Sequence, residues 1–216
     1  MARNFLLMSL LFLLLFGCGC EKAYYGTMEK LGVHKRDILV DRVEDARDAQ
    51  EDTKEQFASA LEKFKAVTGF EGGALEEKYE ELKGEFERSE DEAENVSERI
   101  DSVADVADDL FAEWEDELED YSNDEMRSIS KRRLRETRSR YADMMRVMGR
   151  AESRIGPVLS AFRDQVLFLK HNLNARAIAS LQGEFENVEA DIASLIEEME
   201  TSIAEANEFI ENMKSS

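Results

Sequence analysis

Four stretches of this 216-residue chain set apolar or small residues in alternating steps of four and three, and that repeat restricts the fold more than any other feature. The first runs Leu39, Val43, Ala46, Gln50, Thr53, Phe57, Ala60, Phe64 and Val67. The second runs Leu75, Tyr79, Leu82, Phe86, Ser89, Ala93, Val96, Ile100, Val103, Ala107, Leu110 and Trp114. Leu134, Thr137, Tyr141, Met144, Met148, Ala151, Ile155, Val158 and Phe162 form the third. Ile178, Leu181, Phe185, Val188, Ile192, Leu195, Met199, Ser202, Ala206, Phe209 and Met213 form the fourth. A seam with this mean step stays on one side of an α-helix only when the helix supercoils around a neighbour. Apolar residues beside the seam, among them Leu61, Val106, Phe111, Leu118, Ile196 and Ile203, widen it, so each helix must touch more than one other. The expected fold is all-α: a long antiparallel up-down four-helix coiled-coil bundle. Composition agrees, because a single proline and 11 glycines leave little to break long helices.

The interruptions fall where an up-down bundle needs turns. In "VTGFEGG" Gly69 is a candidate C-cap followed by further glycines. In "YSNDE" Ser122 stands three residues before Glu125, the spacing of a capping box. At "LKHNLNARAI" the repeat slips between Leu173 and Ile178, and Asn172 and Asn174 suit a turn. The first helix is expected over 37–68 and the middle pair over 75–121 and 124–171. Pro157 lies inside the third seam and leaves it in register, which predicts a kink rather than an end.

Charge suggests which helices are neighbours. Acids crowd the later half of the second segment, from Glu90 to Glu117, while Arg127, Lys131, Arg132, Arg133, Arg135, Arg138, Arg140, Arg146, Arg150 and Arg154 mark the third. Folding back near Ser122 sets the two runs opposite each other, and such edge charges select pairing and register. The formal net charge of −21 disfavours nonspecific binding to nucleic acid or to an anionic lipid surface, so partners are expected to be cationic or neutral.

The chain offers no recognisable chemistry. Leu31 and Phe168 stand three residues before the two histidines, so the Glu-x-x-His pair of di-iron bundles is missing. No phosphate-binding loop, dinucleotide fingerprint, serine elbow or zinc-protease helix is present. His34, beside Lys35 and Arg36, reads as solvent-facing, and His171 as a turn residue. Met144, Met145 and Met148 read as core. Catalytic residues, metal ligands and cofactors are therefore expected to be none, and a small-molecule ligand is not expected. An enzyme would need a pocket such as one lined by Arg163, Asp164 and His171.

The beginning of the chain carries an address. Arg3 precedes an apolar run from Phe5 to Phe16, too short to span a bilayer and laid out as a secretory signal. It closes on "LFGC", with Leu15 three residues before Cys18 and Gly17 just before it, a spacing similar to the lipobox of bacterial lipoproteins. A disulfide between Cys18 and Cys20 is the alternative, strained by the single residue between them. The lipobox reading gives a cleaved segment 1–17, a lipidated tether 18–36 and a bundle 37–216. Cys18 is then the lipid attachment point and Cys20 a spare thiol. The tether is either an interfacial helix, using Tyr24, Tyr25, Met28 and Leu31, or a flexible linker.

Three stretches, "HKRDILVDRVEDARDAQ", "FKAVTGFEGG" and "AFRDQVLFLKHNLNARAIASL", resemble a bacterial lipoprotein family of unknown function, DUF2959. The resemblance spans nearly all of the chain after Cys18. It implies a helical envelope protein and no activity. The expectation is a non-catalytic periplasmic scaffold or adaptor, lipid-anchored, with the outer membrane favoured over the inner because Gly19 is not aspartate. An up-down bundle puts the end opposite the lipid at Gly69 to Gly73 and His171 to Asn174. Contact with an envelope protein is expected there, through Phe70, Glu71, Lys170, His171 and Asn174. The alternative is a binding module whose acidic surface takes divalent or polycationic species.

Overall fold

The computed structural model describes residues 34–69, 75–172 and 175–215. They form four helices: α1 (Lys35–Thr68), α2 (Leu75–Glu117), α3 (Asp124–His171) and α4 (Ala175–Ser215). Neighbours close into a ring, α1 on α2 and α4, and α3 on the same two. Every neighbouring pair is antiparallel. Lys35 meets Glu113 at 3.0 Å while Lys63 meets Glu81 at 3.8 Å, so the start of α1 lies against the end of α2. Trp114 donates to Ser130 at 2.8 Å at one end of the α2–α3 pair, and Phe86 stacks edge-on against Phe162 further along. At the near end of the bundle, where α1 begins, Arg36 donates to the Met213 carbonyl. At the far end Gln182 donates to the Thr68 carbonyl at 2.7 Å. With 48 residues, α3 is about 70 Å long.

The repeat maps onto the core as expected. Every seam residue of α1 is buried, polar Gln50 and Thr53 included. In the other helices the exceptions are Leu75, Ala93, Trp114, Tyr141 and Phe185, which pack on the core from its margin, and half-buried Thr137. Met144 and Met148 are fully buried, as packing residues should be.

Helix ends follow local chemistry, with three departures from expectation. The first helix begins at Lys35, so Lys35 and Arg36 belong to the bundle and not to a tether. The second stops at Glu117 rather than near residue 121. Its last turn carries acids and no base, which opposes the helix dipole, and residues 118–120 form tighter turns. The expected capping box is absent: Asn123, not Ser122, caps α3. Its Oδ1 accepts from the backbone N–H of Glu125 at 2.9 Å and of Met126 at 3.1 Å. Asparagine caps as well as serine, and starting one residue later leaves Tyr121 free to accept from Arg127 at 2.8 Å. Gly69 does cap α1, through its N–H to the Lys65 carbonyl at 3.1 Å. Pro157 does not end α3. It is exposed, as is Ser153, so the carbonyl that loses its donor faces water, and the helix runs unbroken to His171.

A polar layer crosses the middle of the core. Ser202 of α4 donates to Gln50 Oε1 at 2.7 Å. Thr53 reaches the Ala49 and Glu92 carbonyls, at 2.8 and 3.3 Å. Gln56 holds buried Glu85 at 2.9 Å, and Arg88 neutralises that carboxylate at 2.7 Å. Gln50 Nε2 is buried without a partner, which costs about 1–3 kcal/mol. The double variant Gln50→Leu with Ser202→Ala is therefore expected to melt higher than the parent. Ser202→Ala alone melts lower, because it strands the Gln50 carbonyl as well. Thermal melts of the three proteins check the order.

Tyr141 packs edge-on against Phe111 and Phe209, at 5.4 and 6.4 Å between centroids. Burial, with Asp108 and Asp105 adding to it, pushes its phenol from the ordinary 10.0 up to about 12. A folded pKa above the unfolded one gives stability that is complete below pH 10 and lost as pH rises to about 12. Ultraviolet difference titration should show a phenolate step near pH 12 that Tyr141→Phe removes.

Surface pairs match the charge reading in part. Arg138 meets Glu115 of α2, lies 5.2 Å from the Phe111 ring centroid and holds the Glu115 carboxyl below its ordinary pKa. Arg163 meets Glu90 of the same helix. Arg150 and Arg154, expected opposite α2, instead lie 3.7 and 3.9 Å from Glu198 of α4. The third helix has two neighbours, and charge alone does not say which one a given face meets.

Candidate interaction surface at the far end

The last turn of α3 stands at the far end because its apolar residues Val166 and Leu169 dock there. Val166 is buried and Leu169 fully so, which fixes the rotation of the turn and faces the intervening pair outward. That pair is apolar: Leu167 is 47% exposed and Phe168 39%. Beside them Lys170 and His171, both exposed, finish the helix and favour the negative end of its dipole. Asn172 closes the turn, its backbone N–H to the Leu169 carbonyl at 3.1 Å and its Nδ2 to the Phe168 carbonyl at 2.9 Å. The end of α1 is held alongside by the Gln182 bond to Thr68, and Thr68 Oγ1 returns to the Lys65 carbonyl at 2.9 Å.

Lys170 and His171 are thus brought together on one exposed turn. Phe70, Glu71 and Asn174 lie outside the described residues, as do Cys18, Cys20 and the whole segment 1–33. Sequence reasoning passed over Leu167 and Phe168. The signal was available, since both are apolar and Val166 and Leu169, which continue the four and three step beyond Phe162, take the buried positions on either side.

Arg163 is engaged by Glu90 and lies over the Phe86 ring at 5.6 Å, while Asp164 and His171 face solvent. Among the described residues no three His, Cys, Asp or Glu side chains gather as metal ligands. No described helix is long and apolar enough to cross a membrane. The near end exposes a second apolar pair, Met126 at 57% and Ile129 at 39%, on the first turns of α3.

Fold and surface together define an all-α, up-down four-helix bundle with apolar side chains exposed at its ends. The chain belongs to the family described as "Protein of unknown function (DUF2959)", whose profile matches residues 24–213. No curated protein and no solved structure matches it.

Proposed function

We propose that the chain is a non-catalytic scaffold or adaptor of the bacterial envelope, held on the periplasmic side by a lipid on Cys18, with the outer membrane as its seat. The observation that carries this reading is the exposed Leu167 and Phe168 beside Lys170 and His171, at the end of a rigid rod opposite the one where α1 begins. An anchor at the near end and an apolar, basic patch at the far end are what an element that holds an envelope protein away from a membrane requires. Isolated exposed apolar residues are common on proteins, but a leucine and a phenylalanine on one solvent-facing turn with two basic neighbours match the core and rim of a small contact site.

Crosslinking in cells tests it. Leu167→Asp with Phe168→Asp should abolish the partner band captured by the parent, and charge reversal at Lys170 and Glu71 should weaken it. Helicity is expected to be retained, since Leu167, Phe168 and Lys170 are all exposed; circular dichroism of both variants checks it. An unchanged set of crosslinked partners would overturn the placement.

A further inference from the structure

Two outer stripes keep the same step of four and three as the core. Along α2 the residues Asp91, Glu94, Glu98, Asp101, Asp105 and Asp108 follow it, and all six are exposed. Along α3 the step from Arg132 to Arg163 meets no acid. Arg132, Arg135, Arg146 and Arg163 carry its charge, and the other positions on it are small: Ser139, Ala142, Gly149, Ser153, Gly156 and Ser160. Bases outnumber acids in α3 and in none of the other three helices. Gly149 and Gly156 stand one heptad apart, and a Cβ at either would meet nothing within 4 Å. Glycine inside a helix is a cost relative to alanine, and no described residue requires it at either place.

Both stripes lie on one side of the bundle. The second helix meets α1 through Glu81 and Glu113, and α3 meets α4 through Arg150 and Arg154, all on the outer flanks. Where the stripes adjoin, Glu115 meets Arg138 and Glu90 meets Arg163. These two pairs also set the level, so the acids from Asp91 to Asp108 stand beside the α3 residues between Arg138 and Arg163. One half of the α2–α3 face is therefore acidic, and the other is basic and small at the same height on the rod. A surface of one sign is repelled by one half of such a face. A second copy of the face fits it when turned about a two-fold axis parallel to the helices, because the acids of each α2 then lie on the arginines of the other α3 without a change of level. An axis across the helices would set α2 on α2, acid against acid.

We propose that two copies of this chain pair through their α2–α3 faces about a two-fold axis parallel to the bundle. The small residues of α3 let the partner's α2 approach closely, and the arginines among them receive its carboxylates. From Glu87 to Glu115 the face is about 40 Å long and two helices are about 20 Å wide, so each copy contributes roughly 800 Å², the size of a standard interface. The contact uses the same surface on both copies and closes at two. On a chain of net charge −21 the average field opposes self-association, so the pairing depends on this register of opposite charges. Both near ends point the same way, as two anchors in one membrane require, although the pairing itself does not rest on the anchored reading.

Sedimentation equilibrium of the full chain in density-matched detergent tests it. The parent should sediment at twice the mass of one chain. Raising salt from about 0.1 M to about 1 M, which shortens the Debye length from about 10 Å to about 3 Å, should weaken the pairing about tenfold or more. This arm reads the contact without any substitution. Arg135→Glu with Arg146→Glu should give a monomer, and so should Asp105→Lys with Asp108→Lys. All four positions are exposed, so circular dichroism should match the parent in both variants. An equal mixture of the two variants has complementary charge at both α2–α3 contacts and should regain the mass of a pair. A monomeric parent, a pair that survives either reversal or is indifferent to salt, or a mixture of folded variants that stays monomeric overturns the proposal.

Discussion

Replacing Phe162 with alanine is expected to lower the unfolding free energy by about 3–5 kcal/mol, the cost of deleting a fully buried aromatic ring. Phe162 is 1% exposed and sits in an aromatic layer to which every helix contributes. Its ring lies 6.2 Å from Phe64 of α1 and 5.6 Å from Phe86 of α2, and Phe64 in turn lies 5.6 Å from Phe185 of α4. Truncation removes the one ring that joins α2 and α3 to the rest of the layer and leaves a void that straight helices close poorly. For a domain of this size each kcal/mol moves the midpoint by about 2–4 °C, so the fall should be on the order of 10 °C. Circular dichroism through a thermal ramp measures it. Phe168→Ala is the internal control, since an exposed ring contributes within about 0.5 kcal/mol. A Phe162→Ala protein that melts within a degree or two of the parent would mean that the layer does not join the helices as described.

The second large effect concerns the anchor. On the proposed reading, Cys18→Ala should shift the protein almost completely from the membrane to the soluble fraction, whereas Cys20→Ala should leave it where the parent is. The size of the shift follows from physics: each buried CH₂ of an acyl chain contributes about 0.8 kcal/mol, and two or more chains hold where one binds only marginally. No described helix offers an alternative means of spanning the bilayer. Fractionation with incorporation of labelled palmitate reads both parts of the result. Retention of Cys18→Ala in the membrane would sink the lipid reading and leave the bundle's architecture untouched.

The bundle was legible in the sequence because its signal is periodic and repeated. Nothing about Gln50, Thr53, Ser89 or Ser202 is hydrophobic, yet each is buried where the step of four and three puts it. The period, not the residue type, located them. Neighbour choice was less legible. Arg138 and Arg150 look alike in sequence, but they sit on α3 turns that face different helices, one toward Glu115 and the other toward Glu198. Which way a surface face turns depends on how much the supercoil drifts along the helix, and that is a property of packing. The choice of Asn123 over Ser122 as cap was equally local, since both residues can cap and the geometry of the preceding turn decides. Of the proposed contact residues, Lys170 and His171 were named from the turn motif, and both are exposed at the end of α3. Leu167 and Phe168 were missed because attention to the seam discards whatever lies off it.

A repeat of seven residues has a weakness: any two helices that obey it can slide by one heptad, about 10 Å, and bury much the same apolar surface. The polar layer removes that ambiguity. Slide α4 against α1 by seven residues and Ser202 leaves Gln50, so the buried carbonyl loses the Ser202 hydroxyl. Slide α2 and Gln56 loses Glu85. The orphaned amide is therefore the cost of a detent, a single notch on an otherwise smooth rail. The notch makes the rod a fixed gauge, with its two ends a set distance apart.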